Sequence, residues 1–201
     1  MYKIDNYNLY NLNLPSNKEF PTTSTMQRHI AQAHDGTLAA IVQRGNDSSI
    51  ISTERGLVFL RSLDNGATWT LDHQLTGGAV YTVSMEIKNN SDIYVAYGGI
   101  SDPGAFGAGA DIAFRKFSYD SNTKTWYMGT QYIVLNNTPS VSHDNWVVLT
   151  REIVSGRLWT AWRNHVISTD IASIQLAYSD NEGVTWTNSG VSLNLIGMKE
   201  P

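Results

Sequence analysis

Short apolar runs rich in β-branched and aromatic residues alternate along the chain with polar turns, and no stretch carries a helical spacing of useful length. Three of these runs, at 56–61 (GLVFLR), 111–117 (DIAFRKF) and 173–178 (SIQLAY), each lead into a polar turn that closes on Thr-Trp. Upstream of each lies a tight-turn signature ahead of another run: Asp35-Gly36-Thr37 before 38–42, Asn90-Ser91-Asp92 before 93–97, and Ser155-Gly156-Arg157 before 158–162. Gly, Asn and Asp take positive φ at low cost, which is what a tight reversal between strands demands. A further run precedes each turn, at 28–33, 80–87 and 146–153, and a fourth follows the Trp, visible at 131–135 and 191–195. The pattern predicts four short antiparallel strands in about sixty residues, three times over.

The turns themselves repeat. Ser62-Leu63-Asp64-Asn65-Gly66-Ala67-Thr68-Trp69 and Ser179-Asp180-Asn181-Glu182-Gly183-Val184-Thr185-Trp186 agree at Ser, Gly and Thr-Trp, with Asn181 standing for Asp64. A looser copy from Ser118 to Trp126 keeps Ser, Asp120 and Thr-Trp, carries one extra residue, and has Asn122 near the glycine position. Four-stranded sheets at this period are the signature of propeller blades, each of which buries both faces only when neighbours stack on it. The expected fold class is therefore all-β, a β-propeller of four-stranded antiparallel blades with about three blades present. The blades divide at roughly 25–78, 79–138 and 139–201, after a lead-in or ring-closing strand at 1–24. Three blades do not close a ring, since closed propellers have about four or more; the expectation is part of a ring, completed by further blades or by self-association.

Composition narrows the partners. Of 201 residues 41% are hydrophobic and 16% charged, which excludes a disordered or collagen-like chain. A formal charge of -4 provides no excess positive potential for a phosphate backbone, so no nucleic-acid partner is expected. No run reaches the ~18 apolar residues of a membrane-spanning helix, and the opening MYKIDNYNLY lacks a signal-peptide layout. Zero cysteines remove disulfides and thiolate chemistry without fixing a compartment. Nucleotide-binding, zinc-protease and nucleophile-elbow motifs are missing, and the five histidines have no metal-ligand spacing, so neither metal nor cofactor is expected.

Physically, the octapeptide reads as a self-contained turn. Asp64 is placed to accept backbone N–H groups that follow it, Gly66 to take positive φ, and Trp69 to plug the turn from beneath. The run resembles the Asp-box, or BNR repeat, and the chain resembles the sialidase superfamily of β-propellers over nearly its whole length. By that resemblance Ser62, Asp64, Gly66, Trp69, Asp120, Trp126, Ser179, Asn181, Gly183 and Trp186 are structural Asp-box residues, and the fold is about half of a six-bladed sialidase-like propeller.

The first blade sharpens the resemblance. Sialidases open with an Arg-Ile-Pro strand, a D-G-T-L turn, then a further Arg and an Asp; here Arg28-His29-Ile30 precedes Asp35-Gly36-Thr37-Leu38, and Arg44 and Asp47 follow, with the proline absent. The resemblance implies Arg28 as one of three arginines clamping a sialic-acid carboxylate, a role that suits the bidentate guanidinium fork. It implies Asp47 as the general acid/base. In the family the tyrosine nucleophile, its glutamate and the other two arginines come largely from later blades.

Topology identifies the same region independently. In a four-stranded blade the first turn and the box turn share one rim, while the second-to-third loops occupy the other. Those loops, at 43–55, 98–110 and 163–172, hold Arg44, Asp47, Glu54, Arg55, Asp102, Arg163, His165 and Asp170. Loops on a rigid scaffold are where binding chemistry is mounted. The candidate set is thus Asp47 as catalytic, with Arg28, Arg44 and Arg163 as substrate-binding. Two readings stay open: a sialidase-like exo-glycosidase acting on a terminal acidic sugar, or a non-catalytic glycan- or protein-binding Asp-box module of a larger surface or phage protein. A secreted or cell-surface location is what the resemblance implies.

Overall fold

A computed structural model describes residues 30–44, 56–75, 80–100, 110–136, 142–166, 169 and 171–194. The strands are β1 (Ile30–Gln32), β2 (Leu38–Arg44), β3 (Gly56–Ser62), β4 (Thr70–Gln74), β5 (Val80–Ile87), β6 (Ile93–Ile100), β7 (Ala110–Asp120), β8 (Thr125–Asn136), β9 (Ser142–Arg151), β10 (Leu158–Val166), β11 (Ile171–Ser179) and β12 (Thr187–Asn194). They form three antiparallel sheets in strict sequence order, β1-β2-β3-β4, β5-β6-β7-β8 and β9-β10-β11-β12, with no helix among the described residues. This is the three-blade, all-β architecture expected from the repeat. Strand ends shift in places. β9 starts earlier than the 146–153 run and stops before Glu152 and Ile153, and β8 begins at Thr125 rather than at Gln131.

Each sheet is buried through its neighbour. Between the first two sheets lie Ala39, Ile41, Leu57 and Phe59 on one side and Val83, Met85, Ile93, Val95, Tyr97, Phe117 and Trp126 on the other. Phe59 and Phe117 stack with centroids 4.5 Å apart. Between the second and third lie Tyr94, Ala96, Ile112 and Phe114 against Val147, Leu149, Leu158, Trp162 and Ala177. Alternate residues of β6 therefore serve opposite interfaces, which is why this strand reads as an unbroken apolar run, IYVAY, instead of a polar-apolar alternation. Burying one such side chain contributes about 1.5–3 kcal/mol. The inner edges are also tied: Thr82 and Ser84 of β5 accept hydrogen bonds at 3.1 and 3.0 Å from the backbone N–H groups of Val147 and Leu149 in β9.

Register sets the two rims. Leu38 pairs with Ser62, Ile93 with Phe117 and Leu158 with Ser179 at the turn rim. Arg44 pairs with Gly56 and Val166 with Ile171 at the opposite rim, where the second-to-third connections leave.

Candidate functional site

The loop rim is described only where the strands reach it. Arg44 is the last residue of β2, paired with Gly56. Arg163 lies on β10 between Asn145 of β9 and Ile174 of β11 and is 5% exposed. Counted from Leu38 and Leu158, each opposite a turn serine, Arg44 matches Asn164, and Arg163 matches Gln43. The fold thus brings Arg44 and Arg163 to one rim on separate blades, one register step apart. Arg28 and Asp47 lie outside the described residues, as do Glu54, Arg55, Asp102 and Asp170.

The octapeptide turns occupy the opposite rim. Ser62 Oγ donates to Asp64 Oδ1 at 2.8 Å and accepts from the buried N–H of Gly66 at 2.8 Å. Asp64 Oδ1 accepts from the Thr68 N–H and Oδ2 from the Thr68 hydroxyl, at 2.8 and 2.6 Å, which holds its pKa down at about 2. Trp69 Nε1 closes the turn by donating to the Gly66 carbonyl at 3.1 Å. The turn from Ser179 repeats this set through Asn181, Gly183, Thr185 and Trp186, with Asn181 Nδ2 donating to the Thr185 hydroxyl. Gly66 and Gly183 both have positive φ, 89° and 86°.

The middle run is built differently. β7 and β8 stay paired out to Asp120 and Thr125, and the four residues between them make a tight hairpin with Lys124 at φ 53°. Asp120 caps only the Asn122 N–H, and Trp126 donates to the Ser91 carbonyl rather than to its own turn. The extra residue puts Phe117, not a serine, opposite the start of β6, so no hydroxyl stands where Ser62 and Ser179 organise their turns.

The densest charged cluster among the described residues joins the second and third sheets on this turn rim. Glu182 accepts from Lys116 at 2.7 Å, Lys88 at 2.5 Å and the Tyr94 hydroxyl at 3.1 Å, while Lys116 also meets Asp92 at 3.2 Å. The Lys116 and Lys88 ammonium groups hold Glu182 at a pKa of about 2. Burial, and then the facing Glu182, pushes the Tyr94 phenol well above its ordinary value. Every member is satisfied by another member, so the group acts as a clasp between blades. Glu182 occupies a variable position of the octapeptide and its partners lie far away in sequence, so sequence reasoning missed it. The hydrophobic run around Tyr94 was the only local signal.

Trp162 is core, and Glu152 is an exposed turn residue accepting from the Ser155 hydroxyl, off the first strand where the sequence had placed it. Burial raises the Tyr97 phenol to about 12. Trp159 and Tyr178 pack at 5.2 Å on the outward face of the third sheet, with Arg157 above Tyr178 at 4.4 Å and bonded to Asp180 at 2.6 Å. No group of three or more metal-ligating side chains occurs among the described residues.

No family profile matches the sequence, and no curated protein matches it. Solved structures do match in shape. Trypanosoma rangeli sialidase in complex with the inhibitor DANA aligns with a TM-score of 0.51 at 15% identity, over 82% of this chain and 30% of the sialidase. An ulvan lyase bound to -[GlcA(1-4)Rha3S]- aligns with a TM-score of 0.53 at 11% identity, over 80% of this chain and 42% of the lyase. The likeness is one of fold, a β-propeller, of which this chain spans less than half the length of either protein.

Proposed function

We propose that this chain is a carbohydrate-active propeller unit that engages a terminal acidic sugar on its loop rim in the manner of a sialidase. The observation that supports the reading is the register, which gathers the ends of β2 and β3 and of β10 and β11 on the rim opposite the octapeptide turns, with Arg44 the last residue of β2 and Arg163 inside β10 toward that end. In this reading Arg28, Arg44 and Arg163 bind the carboxylate, because a guanidinium fork matches a planar carboxylate with two parallel hydrogen bonds. Asp47 passes the proton to the leaving oxygen. The two fold neighbours support an acidic ligand: one is a sialidase, the other is bound to a repeat containing GlcA.

The test pairs turnover with binding. Hydrolysis of a fluorogenic sialoside and saturation-transfer NMR with sialyllactose are measured on the purified chain beside Arg28→Ala, Asp47→Ala and Arg163→Lys. Turnover lost in Asp47→Ala and Arg28→Ala is the expected result. Binding without turnover, weakened by Arg163→Lys, would retain the ligand and remove the hydrolysis. A folded chain that neither cleaves nor binds the sialosides overturns the reading.

A further inference from the structure

Asn65-Gly66 is the one Asn-Gly pair in the sequence. The turn it sits in explains its presence. The Ala67 N–H donates to the Asp64 carbonyl at 3.3 Å, closing a four-residue reversal whose central residues, Asn65 and Gly66, both take positive φ, 58° and 89°. A reversal with two left-handed central residues selects Asn and then Gly, because both adopt that conformation at low cost. The third blade builds the same reversal, with the Val184 N–H on the Asn181 carbonyl at 3.2 Å and Glu182 and Gly183 at φ 55° and 86°. Of these two turns, only the first places an amide side chain ahead of the glycine.

The pair that suits the turn is also chemically reactive. When the backbone nitrogen after an asparagine loses its proton, it attacks the asparagine Cγ, the bond from Cγ to the side-chain nitrogen breaks, and ammonia leaves. Water then opens the cyclic imide at one of its two carbonyls, giving aspartate or an isoaspartate whose main chain is longer by one carbon. Glycine permits the attack best, since it has no Cβ to hinder the approach. Asn65 is exposed on the turn rim, so solvent reaches its amide. Gly66 is buried, and its N–H, the attacking group, is held by Ser62 Oγ at 2.8 Å. Ser62 is itself 1% exposed and anchored by donating to Asp64 Oδ1 at 2.8 Å. A proton held in a buried hydrogen bond is not given up to hydroxide, so the closed turn withholds the nucleophile from the electrophile beside it.

We propose that Asn65 is a deamidation site gated by its own turn: while the turn is closed the Ser62 hydroxyl blocks the reaction, and once the turn opens Asn65 reacts and the native turn does not re-form. The products account for this one-way character. An isoaspartate at 65 inserts a main-chain atom between Asp64 and Gly66. It disrupts the bonds from the Gly66 N–H to Ser62 Oγ and from the Thr68 N–H to Asp64 Oδ1, each of which spans four residues. An aspartate at 65 sets a second negative charge beside Asp64, whose own carboxyl is held ionised with a pKa of about 2. The third turn is spared, because Glu182 has no amide to lose and its carboxylate is bound by Lys88 and Lys116.

Trypsin cuts after Arg61 and Lys88, and the peptide between them holds Asn65 as its sole asparagine, so mass spectrometry of that peptide reads the reaction directly. The native chain, Ser62→Ala and Ser179→Ala are incubated in mildly alkaline buffer, each with a β-rich circular-dichroism spectrum, beside native chain unfolded in urea. The folded native chain is expected to deamidate far more slowly than the unfolded one. Ser62→Ala orphans the Gly66 N–H and is expected to react about 5- to 150-fold faster than the native chain. Ser179→Ala removes the matching bond from the third turn, leaves the first intact, and is expected to stay near the native rate, which separates the opening of one turn from loss of the whole fold. A folded native chain that deamidates as fast as the unfolded one overturns the proposal, as does a Ser62→Ala variant no faster than Ser179→Ala.

Discussion

Gly183 of the third sheet rests against Phe114 of the second so closely that a Cβ at the glycine falls 2.0 Å from the ring atom Cε1. The glycine also holds φ 86°, a conformation that side chains disfavour. Gly183→Ala is therefore expected to combine backbone strain with overpacking and to cost about 2–4 kcal/mol. Gly156→Ala is the matched control, at φ 77° but with nothing within 4 Å of the new Cβ. It should lose only about 1 kcal/mol. Urea unfolding midpoints of the two variants check the difference.

The Glu182 clasp makes stability depend on acid. Its carboxyl ordinarily titrates near 4.5 and sits at about 2 in the fold, because Lys116 and Lys88 stabilise the anion. A depressed folded value means the contribution is complete above the unfolded value and disappears as pH falls from 4.5 toward 2. The side chain is 44% exposed, so solvent screening leaves about 1 kcal/mol. Glu182→Gln should remove that amount at neutral pH and flatten the acid limb of a stability-versus-pH curve.

Ser62→Ala and Ser179→Ala each delete the hydroxyl that accepts the buried N–H of the glycine four residues on, at 2.8 and 2.9 Å. An orphaned buried donor costs about 1–3 kcal/mol. The turns lie in different sheets, so the double variant should lose the sum of the singles. Asp120→Ala, in the hairpin that lacks this hydroxyl, removes one exposed cap and should change stability by no more than about 0.5 kcal/mol. Thermal or urea denaturation of the four proteins decides.

Tyr119 joins the second blade to the first as Glu182 joins the third to the second. Its hydroxyl donates to Asp35 Oδ2 at 2.8 Å and lies 3.0 Å from the buried Thr37 hydroxyl. Tyr119→Phe keeps the ring against Trp126, 4.5 Å away, and loses only the polar link. The expected cost is about 1 kcal/mol. Proteolytic susceptibility of the 33–37 turn should rise with it.

Strand positions were legible because they rest on local signals. The runs at 38–42, 56–61, 93–97, 158–162 and 173–178 all fall inside β2, β3, β6, β10 and β11. The middle turn was misread because Ser118, Asp120 and Trp126 match the octapeptide by letter, while one inserted residue lets β7 and β8 keep pairing. Arg44 and Arg163, expected in the loops at 43–55 and 163–172, instead lie on β2 and β10, while the rim they approach was readable from topology. The burial of Arg163 was not, because it depends on packing around β10.

What the sequence determined by itself is the period, the four-strand unit and the two octapeptide turns, since alternation, positive-φ residues and short-range hydrogen bonds act within a few residues of chain. What only the tertiary structure decided is which face of each sheet meets which neighbour, and so which charges meet across blades. Lys88 and Glu182 are 94 residues apart, and nothing in either local stretch distinguishes a clasp from two solvated side chains. Their pairing follows from stacking one twisted sheet on the next, where the apolar faces set the distance and the turn rim brings the carboxylate to the two ammonium groups.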